Sequence, residues 1–69
     1  MQGNPRCIML VTDKAYASHW AALFLEECMQ FEVDPRPKDE YVFYVKEERR
    51  ALVETQLKSW MKGRIAECI

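Results

Sequence analysis

Five consecutive β-forming residues, Tyr41-Val42-Phe43-Tyr44-Val45, constrain the fold more than any other stretch of this sequence. The run contains only aromatic and β-branched side chains, with no polar position that could face water. A strand with one wet face alternates apolar and polar residues, so this run predicts a strand in the centre of a sheet. A second apolar run, Cys7 to Val11, predicts another central strand. Phe31 to Asp34 alternates apolar and acidic residues, which predicts an edge strand.

Two segments carry apolar residues at three- and four-residue spacing and therefore predict helices. The first runs from Lys14 to about Met29, behind Asp13 as its N-cap. The second follows the acidic pair Glu47-Glu48 and stops at Gly63. The two apolar stripes are Tyr16, Trp20, Leu23, Phe24 and Cys28 in the first helix, and Leu52, Val53, Leu57, Trp60 and Met61 in the second.

The connections between the predicted elements differ in the turn residues that they contain. No glycine follows the first helix, so a residue near Met29 or Gln30 must turn the chain, at a cost of about 1 kcal/mol. The segment from Pro35 to Asp39 cannot continue as a paired strand, which predicts a hairpin loop. Residues 1–5 are expected to form a loose lead-in, and residues 64–69 either further helix or a short fourth strand.

The predicted order is β-α-β-β-α, or β-α-β-β-α-β with the fourth strand, in a single domain that spans residues 1–69. The first and third strands are the most apolar and the second alternates, which predicts the sheet order 2-3-1 with strand 2 at an edge, and a right-handed, split β-α-β crossover. Both helices then cover one face, which makes the fold class an α/β (α+β) two-layer sandwich. The expected core combines one side of strand 41–45 with Ile8, Leu10, Trp20, Phe24, Leu57 and Trp60.

The sheet face turned away from the helices is predicted to be apolar as well. Met9 and Val11 alternate with the core residues of the first strand, and Val42 and Tyr44 with those of the third. A contiguous apolar face usually marks an interaction surface, whereas single surface hydrophobic side chains are common and need no function. We expect docking onto another protein or a second copy of the chain, through Met9, Val11, Val42 and Tyr44 and through Phe31 and Val33 of the edge strand.

The sequence contains no catalytic signature. His19 is the only histidine and has no nucleophile or acid at a spacing that predicts a catalytic pair, and two glycines cannot build a phosphate-binding loop. We therefore expect a domain that is not an enzyme and binds no cofactor. The apolar runs are too short to cross a membrane, and the N-terminus lacks the order of a signal peptide, which predicts a cytoplasmic protein.

The three cysteines Cys7, Cys28 and Cys68 form no C-x-x-C pair, and each lies within an apolar pattern. An odd number cannot form a closed set of disulfides, so buried free thiols in a reducing compartment are expected. A zinc site that combines them with His19 is disfavoured, because structural zinc sites draw on closely spaced ligand pairs.

Nucleic-acid binding is the alternative function. Phe43 and Tyr44 on a central strand could stack on bases as in RNA-recognition motifs, and basic side chains could contact phosphates: Lys46, Arg49, Arg50, Lys58, Lys62 and Arg64. The first strand has no aromatic partner for this platform, however, and the net charge of −1 argues against a general attraction to nucleic acid.

From Asp13 to Lys62 the chain resembles the small domain that precedes the membrane part of bacterial rhomboid intramembrane proteases. The resemblance rests on the alanine and tryptophan pattern from Ala17 to Phe24, on strand 41–45, on the acidic turn Glu47-Glu48 and on the helix Arg50 to Trp60. It implies a non-catalytic, cytoplasmic appendage whose partner is the membrane domain of a larger parent chain. The catalytic serine and histidine of that family would lie in the membrane part, so no active-site residue is carried over. The same pattern also fits small stand-alone bacterial regulatory proteins.

Overall fold

The computed structural model describes residues 7–67, and these form four strands, two helices and one 3₁₀ turn. In chain order the elements are β1 (Cys7–Asp13), α1 (Lys14–Glu26), β2 (Phe31–Arg36), β3 (Glu40–Lys46), the 3₁₀ turn (Glu47–Arg49), α2 (Arg50–Lys58) and β4 (Arg64–Glu67). The predicted lead-in, residues 1–5, and the end of the predicted tail, residues 68–69, lie outside the described residues. No helix of the described part is long and apolar enough to span a membrane.

The four strands form one antiparallel sheet in the order β2-β3-β1-β4. The predicted order 2-3-1 is confirmed, and the tail adds β4 beside β1, so the strand alternative for this segment is confirmed through Glu67. Leu10 lies opposite Phe43 on one side and opposite Ile65 on the other. Since β3 is antiparallel to both β1 and β2, those two strands run parallel with β3 between them. The element order β-α-β-β-α-β is one that ferredoxin-like, split β-α-β folds also have.

One hydrophobic cluster joins both helices to the sheet. Its buried members are Ile8, Leu10, Trp20, Phe24, Met29, Phe43, Val45, Val53 and Met61. The core prediction is therefore confirmed for Ile8, Leu10, Trp20 and Phe24, while Leu57 packs against the cluster only partly buried. Phe24 sits at the centre of an aromatic group, with ring centroids 5.6 Å from those of Trp20 and Phe43.

The core prediction is wrong for Trp60, whose side chain is 54% exposed. Helix α2 ends at Lys58, five residues before Gly63, where the sequence predicted its stop. The backbone N–H groups of Ser59 and Met61 both donate to the Gln56 carbonyl, which turns the chain out of the helix. Past that point the three- and four-residue spacing no longer decides which side chain faces the core, and Met61 is buried in place of Trp60.

Helix α1 ends at Glu26, three residues earlier than predicted, in a Schellman motif that contains no glycine. The Met29 N–H donates to the Phe24 carbonyl at 2.9 Å, and the Cys28 N–H donates to the Leu25 carbonyl at 3.1 Å. Cys28 adopts a left-handed φ of 56° and is thus the residue that turns the chain, one position before the expected Met29. The helix start is confirmed, because the Asp13 carboxylate accepts the Tyr16 N–H at 3.0 Å.

The hairpin loop between β2 and β3 is shorter than predicted. Pro35 and Arg36 belong to β2, where they pair with Tyr41 and Glu40, and the loop contains only residues 37–39. Pro35 is tolerated because β2 is an edge strand, so its missing N–H can fall on the side that faces away from β3. Lys38 and Asp39 carry the turn with φ values of 65° and 60°.

The segment between α2 and β4 is fixed to both β1 and α1. The Lys62 carbonyl accepts the Thr12 hydroxyl at 2.7 Å and the Trp20 indole N–H at 2.9 Å. Gly63 follows with a φ of 153°, and a Cβ atom there would lie 2.9 Å from the Val11 carbonyl oxygen. Only glycine allows the chain to come this close to β1 as it enters β4.

The prediction of three buried free thiols is wrong for two described cysteines. Cys7 is disulfide-bonded, and Cys28 is free but exposed; Cys68 lies outside the described residues. Cys28 is exposed because it caps α1 in a turn instead of continuing the apolar stripe of the helix. The free-thiol argument for a reducing compartment therefore does not hold for Cys7.

Candidate functional site

The alternation of side chains along the strands divides the predicted interaction residues between the two sheet faces. Met9, Val11, Val42 and Tyr44 share one face, which we call the Met9 face. Phe31 and Val33 belong to the opposite face, because they pair with the core residues Val45 and Phe43. The structure thus brings four of the six predicted residues together and separates the other two from them.

The two apolar residues of the edge strand, Phe31 and Val33, differ in their burial. Phe31 is half-buried, with its ring centroid 5.4 Å from that of Phe24 and 5.8 Å from that of Phe43. Val33 is 47% exposed on the same strand. Phe31 is therefore mainly a core residue, and Val33 is the exposed apolar side chain of this edge.

Two adjacent rows of side chains cross the Met9 face at right angles to the strands. The strand register places Glu32, Tyr44, Met9 and Ala66 side by side in one row. The next row is Asp34, Val42, Val11 and Arg64. Each row has an apolar centre, and the second row ends in a carboxylate on β2 and a guanidinium on β4.

The apolar centre of the Met9 face is less exposed than the sequence suggests. Val42 is 2% and Val11 7% exposed, whereas Met9 and Tyr44 are half-buried. Met9, Tyr44 and Ala66 are therefore the partly exposed apolar side chains of this face, and the two valines are buried.

A polar network of β2 and β3 lies on the Met9 face next to Val42. The Arg36 guanidinium donates to the Asp34 carboxylate at 2.8 Å and to the Tyr44 hydroxyl at 3.0 Å. Asp34 lies directly opposite Val42 in the register, and Tyr44 is two residues further along β3. The Arg36 side chain therefore bonds to residues on both sides of the Val42 position on the Met9 face. The hydrogen bonds with Asp34 and with Tyr44 also raise the pKa of the Arg36 guanidinium, so this group stays charged.

The two aromatic residues of the nucleic-acid alternative lie on opposite faces of the sheet. Phe43 is 1% exposed and belongs to the core, so it has no face on which a base could stack. Tyr44 alone remains on the Met9 face, and its hydroxyl is held by Arg36. Of the basic residues, Arg50 forms an ion pair with Glu47.

A second surface feature, which the sequence pattern did not predict, is an aromatic group formed by α1 and the turn after α2. The ring centroid of Trp60 lies 5.2 Å from that of His19 and 6.2 Å from that of Tyr16. A cavity of about 250 Å³ adjoins this group and is lined by residues that include His19, Leu23, Glu26, Gln56, Trp60 and Met61. We call it the helix groove. The only signal that could have revealed it is Ser59, a weak helix former next to Trp60, which is consistent with an early end of α2.

The exposed ring of His19 lies next to two aromatic rings, with centroid distances of 5.9 Å to Tyr16 and 5.2 Å to Trp60. Among residues 7–67, no group of three or more histidine, cysteine or acidic side chains lies together in a way that could hold a metal ion.

The fold and these surfaces define a small α+β domain with a four-stranded antiparallel sheet. No protein family model, no curated protein and no solved structure matches the chain. The resemblance to the N-terminal domain of rhomboid proteases therefore stays a prediction.

Proposed function

We propose that this domain is a non-enzymatic protein-interaction module that pairs with a second copy of itself through the Met9 face. The observation that carries the proposal is the row Asp34, Val42, Val11, Arg64, which has an apolar centre, a carboxylate at one end that is also bound to Arg36, and a guanidinium at the other end. A row of this kind is complementary to its own reverse, and a second copy of the chain supplies that reverse.

The proposal includes a two-layer arrangement in which both helices pack on the sheet face opposite the Met9 face. This is supported by the core cluster, which combines Trp20 of α1 and Val53 of α2 with Ile8 and Phe43. These strand residues alternate with Met9 and Val42 in the sequence. With both helices on that side, the Met9 face is left for a partner.

The pairing that fits this face has a two-fold axis parallel to the strands. Such an axis places β2 of one copy over β4 of the other, and β3 over β1. Asp34 then faces the Arg64 side chain of the second copy, and Val42 faces its Val11. In the neighbouring row, Tyr44 meets Met9 of the second copy, and each of these contacts occurs twice.

The size of the face predicts weak association. Four strands about 4.8 Å apart and about 24 Å long present roughly 450 Å², about half of the area that each partner buries in a standard stable complex. The two valines add little, because they are already buried in the single chain. We therefore expect a dissociation constant on the order of 100 μM, far weaker than that of a standard stable complex.

Sedimentation velocity between about 20 μM and 1 mM tests the proposal, because it spans the concentrations at which a dimer this weak forms. The wild-type chain should shift from monomer to dimer across this range, and Tyr44→Lys should stay monomeric, since it places a charge in the centre of the face. Ser18→Lys, on the exposed side of α1, adds the same charge elsewhere and should associate like the wild type. A wild-type chain that is monomeric throughout refutes pairing with a second copy.

Two charge reversals test the orientation of the axis. Asp34→Arg and Arg64→Asp should each weaken self-association, because each puts two like charges opposite each other across the interface. When the two variants are mixed, the symmetric arrangement pairs every positive end with a negative one, so dimers should form again. If the mixture associates no better than either variant alone, the proposed axis is wrong.

A further inference from the structure

We infer that the helix groove is a second binding site, and that it takes an arginine side chain from a partner protein. The inference does not depend on the Met9 face, since every groove residue used here comes from α1, α2 or the turn that follows α2.

The first argument is the exposed indole of Trp60. A tryptophan side chain that is 54% exposed leaves a large apolar area in contact with water. The ring is held in place by edge-to-face contact with His19 and by Tyr16, so binding a partner costs little conformational entropy. Held aromatic side chains of this kind dominate the energetics of protein interfaces. Leu23 and the buried Met61 supply an apolar floor beside it.

The second argument is the volume of the groove. At about 250 Å³ it is smaller than the roughly 300–1,000 Å³ typical of pockets for small-molecule ligands. It suits one long side chain of a docked protein. The occupant is therefore a single residue that a partner inserts between the two helices.

The third argument is charge. Glu26 lines the groove at the C-terminal end of α1, where the helix dipole is negative, and the last turn contains no basic residue. Neither ion pair formed within residues 7–67 involves Glu26. A negative helix end beside an aromatic ring favours a cation, and a guanidinium binds a carboxylate and stacks on an indole at the same time. The side chain of Gln56 offers one more hydrogen-bond acceptor.

The probe for this site is a capped five-residue peptide with a central arginine, compared with the same peptide carrying citrulline, which has the same shape and no charge. In two-dimensional NMR spectra of the wild-type chain, the arginine peptide should shift the indole N–H of Trp60 and the methyl groups of Leu23. The indole N–H of Trp20, which is bound to the Lys62 carbonyl, should stay unchanged and report that the fold is intact. Binding of the arginine peptide should be at least about threefold tighter than that of the citrulline peptide.

Matched variants complete the test. Glu26→Gln should bind both peptides equally, whereas Glu54→Gln, on the exposed side of α2, should keep the preference for arginine. Trp60→Leu should abolish binding without changing the Trp20 resonance. Tyr44→Lys should bind like the wild type, which separates this inference from self-association. Equal binding of the two peptides by the wild-type chain, or the absence of a saturable shift at Trp60, overturns the inference.

Discussion

Replacing Cys28 by glycine should stabilise this domain, because Cys28 holds a backbone conformation that suits glycine. Its φ of 56° lies in the left-handed region, which costs a residue with a Cβ atom about 1–2 kcal/mol. Glycine removes that cost but adds about 0.4–1 kcal/mol of conformational entropy to the unfolded chain. The side chain is exposed, so little packing is lost. The net gain is about 0.5–1 kcal/mol, equivalent to a rise in Tm of about 2–8 °C for a domain of this size.

The assay is thermal and urea unfolding followed by circular dichroism, with Cys28→Ala as the matched control. Alanine also removes the thiol but keeps the strained φ, so its stability should stay within about 0.5 kcal/mol of the wild type. A gain that is specific to glycine confirms the strain at this cap. If Cys28→Gly is no more stable than Cys28→Ala, the left-handed conformation costs nothing here and the reasoning fails.

Three further predictions concern stability and thiol chemistry. Gly63→Ala should destabilise the domain by at least about 1–3 kcal/mol in urea unfolding, because its Cβ would press on the β1 backbone; a neutral substitution would contradict that close approach. Trp20→Ala should unfold the domain, at a cost of about 3–5 kcal/mol, whereas Trp60→Ala should cost about 1 kcal/mol and retain a cooperative melt. Equal losses for the two tryptophans would contradict their different burial. Alkylation followed by peptide mapping should modify Cys28 without reductant and Cys7 only after reduction; modification of both without reductant would refute the disulfide.

The strand order could be predicted from the sequence because it depends on burial. The run without a polar position, residues 41–45, forms the strand that has a neighbour on both sides, and the alternating run from Phe31 forms an edge strand. The Asp13 cap could be predicted for a similar reason, since a carboxylate before an apolar stripe has a local partner in the first turn of the helix.

The ends of the elements could not be predicted, because tertiary contacts decide them. Cys28 and Lys38 adopt left-handed conformations that their residue types disfavour. Around Cys28, the contact of Met29 with the Phe24 region of the core offsets the strain and stops α1 early. Pro35 can remain in β2 because β2 is an edge strand, in which one backbone N–H at this position is not needed for pairing.

For the candidate surfaces, the sequence predicted which face a side chain lies on but not how exposed it is. Alternation along a strand determines the face alone. Met9, Val11, Val42 and Tyr44 share a face, as the sequence indicated. The same alternation rule, applied to β2, separates Phe31 and Val33 from them. Val42 is 2% exposed although it lies on the face turned away from the core, and Arg36 reaches Tyr44 eight residues away on that face; no local pattern specifies either property.

The buried indole of Trp20 is bound to a carbonyl group of the segment that follows Trp60. A buried indole needs a hydrogen-bond acceptor for its N–H, and Trp20 finds one in Lys62, 42 residues along the chain. The same oxygen accepts the hydroxyl of Thr12, so the turn after α2 is held against α1 and β1 at once. The chain leaves helix α2 at Lys58, before it reaches Lys62. In the segment between them, Met61 is buried in the core and Trp60 is exposed. The segment after α2 therefore supplies both the hydrogen bonds to Trp20 and Thr12 and the exposed indole of the helix groove.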